Sequence, residues 1–579
     1  MLVGLARIQA LRISSCSNIL SLMKRKLQQI SSPPPASPSS PSKKLTVAMP
    51  ARPISTSITL TAREEQLKQL LLDAAKYIDE QDLHQQGPPP REPLVLRWAG
   101  GWVRDKLLGI ASHDIDTAIN AMTGEAFVDR LRVYCDEPAH RARHGLADGD
   151  VGRLHTVPRN PDKSKHLETS TIRLCGLDVD FVNLRKETYT AESRNPVVEF
   201  GTAEEDALRR DASVNALFYN LHTGQVEDFV GGLRDLEEGL LRTPMEPLQT
   251  FLDDPLRVLR LIRFASRLGF RIDPEAERVM ADERVLGRLR VKISRERIGE
   301  ELEKMLKGQQ PVESLRLLDR LGLYHAVFTN PGREDMPKPD ATAWKTAYEC
   351  LALLEANKTP GSIYDLLVTG EEARYYAWSL ATLTPWEQLP DDPPMKSGKP
   401  APPLPAQAAR EGFKAPNKLC DLITAAHRHR HAILELRDVV RDRREGLHER
   451  DRFGMAIRDW DTRGGHWRLQ VLFAVLVDVE VRVGMGRDAG GSSSSQEAVL
   501  AEWQQFLDHL VELDVMNAPS IKRLVDGKIL TAALGVKPGK WMGAALDVAL
   551  AWQLRNPGVD DPAGAIEEVR RRRDELGIR

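Results

Sequence analysis

Acidic residues are missing from the first 63 positions. The earliest is Glu64, and Arg7, Arg12, Lys24, Arg25, Lys26, Lys43, Lys44, Arg52 and Arg63 precede it among many serines. That composition matches a mitochondrial transit peptide, and Met23 and Met49 offer internal starts from which cytoplasmic and nuclear forms would arise. The stretch SSPPPASPSSPS at 31–42 has no large apolar side chain, which excludes a packed core there. Cysteine is scarce: Cys16, Cys135, Cys175, Cys350 and Cys420 show no C-x-x-C spacing, which argues against a zinc site or a disulfide framework and for a reducing compartment. No apolar run approaches the roughly 18 residues of a membrane-spanning helix, so no membrane partner is expected. Net charge is nearly absent as well, since 81 Lys and Arg against 83 Asp and Glu leave −2, and any basic surface must be local. A chain of 579 residues exceeds one core and implies several domains.

What the chain does carry is concentrated in LVLRWAGGWVRDKLLGIASHDID, residues 94–116. The apolar run Leu94 to Leu96 leads to Gly100-Gly101; Val103, Leu107 and Leu108 mark a helix, and Asp114 and Asp116 follow. The pattern predicts strand, glycine turn, helix, strand. Two glycines let backbone N–H groups approach an anion, the helix start adds a favourable dipole, and Arg104 supplies a planar fork for phosphate oxygens. Residues two apart on a strand share a face, so Asp114 and Asp116 would set two hard oxygen ligands side by side for Mg²⁺. Polyphosphate beside paired carboxylates points to phosphoryl or nucleotidyl transfer. The dipeptide His113-Asp114 also fits the metal pair of a phosphohydrolase. That chemistry needs further histidine ligands, and His140, His144, His155 and His166 lie in a polar stretch without metal-ligand spacing.

The run GGWVRD followed by DID resembles the signature of the class II tRNA nucleotidyltransferase and bacterial poly(A) polymerase superfamily, and the match continues motif by motif from about Leu94 to Leu306. The resemblance implies an α+β fold: a polymerase-beta-like nucleotidyltransferase head with a small mixed sheet, then all-α neck, body and tail. On that reading residues 1–60 form the targeting segment, 61–236 the head and 237–330 the neck. Residues 331–485 form the body with a proline-rich insertion near 387–408, 486–496 a flexible insertion and 497–579 a tRNA-binding tail. It implies a eukaryotic-type CCA-adding activity with tRNA as partner, CTP and ATP as substrates, Mg²⁺ as cofactor and no obligate protein partner. Gly100, Gly101, Arg104 and Asp105 would belong to the nucleotide site, and Asp114 and Asp116 to the metal site.

Further along, Leu67, Leu70, Leu71, Ala74, Ala75 and Ile78 predict a scaffold helix over 64–81, and a second helix is expected over 124–134. The polar stretch from Asp136 to Thr169 reads as structureless, and the family has in this place a flexible loop that takes part in switching from C to A addition. STIRLCGLDVDFVNLRKETY predicts one or two strands with Asp178 and Asp180 on one face. A two-metal site needs a carboxylate from a neighbouring strand; the family spacing, an acid five before an arginine, favours Asp180 with Arg185. EEDALRRDASVNALFYN resembles the family motif RRD-x-x-x-NA at Arg209, Arg210, Asp211, Asn215 and Ala216. On a helix, Asp211 and Asn215 would share a face and present acceptor and donor to a ribose, with Arg210 reaching phosphate. Gly231, Gly232, Asp235 and Leu236 resemble the hinge between head and neck.

In FLDDPLRVLRLIRFASRLGF the family pattern E-D-x-x-R reads Asp253-Asp254-Pro255-Leu256-Arg257, with Asp in place of the first Glu. Pro255 suits a first helical turn, which would put Asp254 and Arg257 on one face. Cytosine and adenine both present a ring-nitrogen acceptor beside an exocyclic amine, whereas uracil and guanine present a ring N–H beside a carbonyl. An arginine donor next to an aspartate acceptor complements the first pair and leaves buried groups unpaired with the second. SRERIGEELEKML resembles the bracing motif E-R-x-x-x-E at Glu296, Arg297 and Glu300. Helices are expected at 311–326, 341–356 and 363–384, and AHRHRH at 426–431, with arginines through Arg452, is a candidate tRNA backbone contact. The alternatives are a poly(A) polymerase of the same superfamily, an HD-type phosphohydrolase, or an inactive RNA-binding module, the last disfavoured by the carboxylates.

Overall fold

The computed structural model describes residues 57–84, 92–112, 114–152, 155–157, 169–188, 196–333, 335–390, 401–462, 466–484 and 495–578. Residues 1–56 of the targeting segment, His113, His166 and nearly all of the 486–496 insertion therefore lie outside the described residues. Helix α1 (Ala62–His84) starts with reciprocal caps, Thr61 N donating to Glu64 Oε2 at 2.7 Å and Glu64 N to Thr61 Oγ1 at 3.3 Å. Its predicted apolar stripe is wholly buried. Strand β1 (Leu96–Ala99), α2 (Gly101–Leu107), β2 (Asp114–Ile119) and α3 (Gly124–Asp136) follow as the pattern predicts.

The stretch expected to be structureless folds in part, into α4 (Pro138–His144) and β3 (His155–Val157); residues 158–168 lie outside the described residues. Pro138 opens α4 and Gly145, at φ 62°, stops it, but the helix buries only His144, so it has no apolar stripe to betray it. Then come β4 (Thr169–Leu174), β5 (Leu177–Asn183), the hairpin β6 (Arg185–Thr188) and β7 (Val197–Phe200), α5 (Ala203–Leu208), β8 (Phe218–Asn220) and β9 (Gln225–Glu227).

Seven strands form one sheet in the order β3-β4-β5-β2-β1-β8-β9, with β2 and β5 its parallel pair. Parallel neighbours need a crossover, which includes α3 here. A Cβ on Gly124 would stand 2.2 Å from Phe181 O, so glycine lets α3 start directly on β5. Alternation sorts the faces. Ile115, Ile119, Val179 and Phe181 join the core under α1 and α3, whereas Ala118 and Val182 pack with Ala203 and Ala207 of α5. Asp114, Asp116, Asp178 and Asp180 belong to this second face.

Next come α6 (Gly232–Glu238), the short strand β10 (Leu240–Leu241), α7 (Pro247–Asp253), α8 (Leu256–Leu268) and β11 (Arg271–Ile272), then α9 (Pro274–Met280), α10 (Glu283–Lys292) and α11 (Arg295–Lys307). Among the described residues no strand follows β11, so the chain is α+β with its sheet confined to the first half. The helix expected over 311–326 divides into Pro311–Arg320 and Tyr324–Phe328, because Gly322 turns the chain at φ 65°. Gly370, at φ 86°, likewise divides the one expected over 363–384.

Packing also shapes two later stretches. Leu404–Gln407 and Ala408–Gly412, at the end of the proline-rich stretch, are helical and mostly buried. The buried Arg295 guanidinium holds this segment, donating to Gly412 O, to Ala326 O at 3.0 Å and to Val327 O. The basic run lies on helix Asn417–Arg441, but His427 and Arg430 face Glu387 at 2.9 and 3.3 Å, and His429 faces Gln470 at 2.8 Å. Arg428 and His431 are its exposed members.

Candidate active site

A cleft of about 550 Å³ opens between the carboxylate face of the sheet and α8, a size that suits a nucleotide. Gly100, Gly101, Arg104, Asp116, Asp180, Arg185, Arg210, Asp211, Asn215, Asp254 and Arg257, all singled out in the sequence, line it together. Two others do not. Asp114 lies one strand repeat away on the same face, and Asp105 is buried behind the cleft, bound to Arg104 at 2.7 Å and to Arg267 at 3.0 Å. Asp105 is thus joined to the cleft through the two arginines it binds, Arg104 and Arg267, both of which line it.

The parallel register sets Asp116 directly beside Asp180 and Asp114 beside Asp178. Asp180 lines the cleft, whereas the exposed Asp178 does not. Packing of protein around Asp116 lifts its carboxyl to about 6 although the residue is reached by solvent in the cleft. Arg210 opposes the rise, and Asp180, Asp114 and Asp206 add repulsion. Among the described residues no three His, Cys, Asp or Glu side chains form a preassembled metal-ligand set. The chemistry of the donors nevertheless fits a hard divalent cation: carboxylates from adjacent strands converge on one face, and their mutual repulsion is what a cation would relieve. The phosphohydrolase alternative finds no support in the nearer histidines. His140 stacks on Tyr134 at 3.9 Å and His144 faces the Tyr134 hydroxyl at 3.0 Å, while His113 is outside the described residues.

The glycine turn is built for close approach. Gly100 has φ 74° and ψ −131°, a conformation that side chains resist, and an added Cβ would stand 2.9 Å from Arg210 Nη1. Asp211 and Asn215 are not on a helix, contrary to the spacing argument. α5 ends at Leu208 and a 3₁₀ turn, Ser213–Asn215, follows, because Ser213 N is drawn to Arg242 O at 2.8 Å. The pair still meets, Asn215 Nδ2 donating to Asp211 Oδ1 at 3.1 Å. Arg104 Nη1 donates to Asn215 Oδ1, and Arg260 Nε donates to Asp211 Oδ2 at 2.5 Å. Burial alone would raise the Asp211 carboxyl; Arg260, the Asn215 hydrogen bond and Arg257 outweigh it and hold it near 2. Buried Asp206 anchors the neighbouring cations, accepting from Arg209 Nε at 2.9 Å and Arg210 Nε at 3.0 Å. Arg185 is pushed down to about 10 by burial and the nearby Arg209, with Glu187 bound to its Nε at 2.7 Å.

Asp254 precedes α8 instead of sitting on it. Its φ of −129° is extended, Oδ1 accepts from Leu256 N at 3.2 Å, and Oδ2 faces Arg297 at 3.5 Å. Pro255 is the reason, since it restricts the residue before it to extended backbone. Arg257 Nη2 donates to Arg209 O at 2.7 Å, so it is anchored to the RRD motif and both groups face the cleft. The sequence reading missed Arg260, Arg263 and Arg267, although their spacing from Arg257 is that of one helix face. It also put the brace one residue early. Glu300 is exposed, while buried Glu301, the position to which the E-R-x-x-x-E spacing counts, accepts from Arg263 at 2.6 Å and faces Arg260 at 3.7 Å. The expected glycine hinge is tightly packed, for a Cβ on Gly232 would stand 2.3 Å from Ser213 O.

In all, nine arginines face five carboxylates in the cleft, an excess suited to a polyphosphate. A family model described as the poly A polymerase head domain matches residues 96–242, and one described as a probable RNA and SrmB-binding site of polymerase A matches 269–335. The chain is 54% identical over 561 residues to nucleotidyltransferase lcsQ of Purpureocillium lilacinum, covering 90% of this chain and 93% of that protein. It is 37% identical over 530 residues to the mitochondrial CCA tRNA nucleotidyltransferase of Saccharomyces cerevisiae, covering 86% and 91%. Its fold resembles the Thermotoga maritima CCA-adding enzyme solved in complex with tRNA, with a TM-score of 0.56 at 21% identity over 88% of this chain and 96% of that one. With curated relatives above 30% identity spanned almost end to end, the chain is an enzyme of the tRNA nucleotidyltransferase family within the poly(A) polymerase superfamily.

Proposed function

We propose that the protein adds CMP, CMP and AMP from CTP and ATP to the 3′ end of tRNA without a nucleic acid template, releasing pyrophosphate. The observation that carries this reading is the meeting, in one arginine-rich cleft, of the Asp116 and Asp180 carboxylates with Asp254 and Arg257. Asp114, Asp116 and Asp180 would hold two Mg²⁺ ions, which when bound lower the pKa of the primer 3′ hydroxyl and stabilise the leaving pyrophosphate. Arg104 and Arg210 offer guanidinium forks to the triphosphate, and Gly100 lets the backbone come close to it. Asp211 and Asn215 address the ribose. Arg257 donates to the ring nitrogen and Asp254 accepts from the exocyclic amine, a pattern that C and A satisfy and U and G do not. The acid-free amino terminus and the mitochondrial relative support import into mitochondria, with Met23 and Met49 as starts for cytoplasmic and nuclear forms.

Asp116→Ala tests the reading. Nucleotide addition should fall to below a few per cent while tRNA binding persists, because the carboxylates act on chemistry and the basic surface on affinity. Substantial residual addition would remove Asp116 from the metal site.

A further inference from the structure

Asp180 differs from its neighbour Asp178 in what stands across the next strand. In the antiparallel pairing of β4 with β5, Thr171 lies directly opposite Asp180, and Arg173 opposite Asp178. The Thr171 hydroxyl donates to Asp180 Oδ1 at 2.5 Å. Thr171 is partly buried, does not line the cleft, and belongs to none of the motifs. On the other side of β5 the register places Asp116, so Asp180 stands between a hydroxyl on β4 and a carboxylate on β2.

From this arrangement we infer that Thr171 is a positioning residue for Asp180, fixing its carboxylate so that Oδ2 stays available on the side of Asp116. The inference rests on the proposed metal role of these carboxylates and deepens it. A carboxylate alone on a strand can turn about χ1 and χ2. One oxygen tied down by a short, charge-assisted bond leaves the other with a defined direction. Outer partners of this kind set the orientation of a ligating carboxylate, and their loss costs about ten- to a hundredfold in metal affinity or activity. The arrangement also gives a physical reason for Asp180 over Asp178 as the ligand from β5: Asp180 lines the cleft and accepts from Thr171, whereas Asp178 is outside the cleft lining and opposed by Arg173.

The test compares Thr171→Val, which keeps the shape and removes the donor, with Thr171→Ser, which keeps the donor, and with Asp178→Asn. Each purified full-length protein is titrated with Mn²⁺, free ion being followed by its electron paramagnetic resonance signal, and the Mg²⁺ dependence of CTP incorporation is measured in parallel. Thr171→Val should weaken Mn²⁺ binding and raise the Mg²⁺ requirement by about ten- to a hundredfold, with tRNA affinity and melting temperature unchanged. Thr171→Ser should return close to the unaltered values, and Asp178→Asn should match them throughout. Mn²⁺ binding by Thr171→Val equal to that of the unaltered protein would overturn this inference and leave the metal reading standing. The same loss in Thr171→Ser would overturn it too, by reducing Thr171 to a packing residue. If the unaltered protein bound no Mn²⁺ and incorporated CTP without divalent cation, the metal reading and this inference would fall together.

Discussion

Arg257 owes its usefulness to what it does not touch. Its Nη2 is tied to the Arg209 carbonyl, while Asp254, three residues before it, faces Arg297. The two groups that would read the base are thus each held by a third residue and are not locked in a salt bridge with one another. Arg257→Ala should admit UTP or GTP measurably, relaxing selection by about ten- to a hundredfold, with Mg²⁺ dependence unchanged, because the carboxylates lie on another element. Strict selection for CTP and ATP by this variant, accompanied only by lower stability, would reduce the pair to structure. At this scale the sequence was a good guide to which residues gather and a poorer one to how they are held. Arg260, Arg263 and Arg267 recur at helical spacing and were open to view. Glu301, the partner of Arg260 and Arg263, stands 38 residues beyond Arg263, and no local pattern reports such a pairing.

Elements were legible where they carry a period. The apolar stripe of α1 and the alternation of β2 and β5 follow from one buried face each. Long-range packing overrides spacing elsewhere: Asn215 ends a 3₁₀ turn that Asp211 precedes, and the described segment 404–412, after the proline-rich run, is held to α11 through Arg295 and Gly412. The helix Trp467–Val479 continues into a π-helical turn, Glu480–Gly484, whose first residue is fully buried. Neither Glu480 carboxyl oxygen accepts a hydrogen bond. Burial lifts this carboxyl to about 7; nearby Thr384 opposes the rise and Asp340 adds to it. A carboxyl whose pKa is higher folded than unfolded gives stability that is complete below about 4.5 and is lost as pH rises to about 7. Glu480→Gln should therefore flatten the fall in melting temperature over that window and be the more stable protein at pH 8, by about 3 kcal/mol. An unchanged pH profile in Glu480→Gln would show that Glu480 stays charged in the fold.

At the scale of the whole molecule, sheet and helices divide the labour. The sheet sets carboxylates in register, α8 brings arginines across the cleft, and among the described residues no helix is long and apolar enough to cross a membrane. The extreme amino terminus lies outside the described residues, so its role is tested apart from the fold. Residues 1–48 fused to a reporter should carry it into mitochondria, and a reporter left wholly in the cytosol would contradict that assignment. The claim that joins the parts is that this one cleft writes a fixed sequence with no template but its own side chains. The direct measurement is to incubate the purified protein with tRNA lacking its 3′ terminal CCA, supply all four nucleoside triphosphates, and sequence the 3′ ends. Products ending in CCA and going no further are predicted; runs of A, additions of C alone or of A alone, or no addition at all would contradict it.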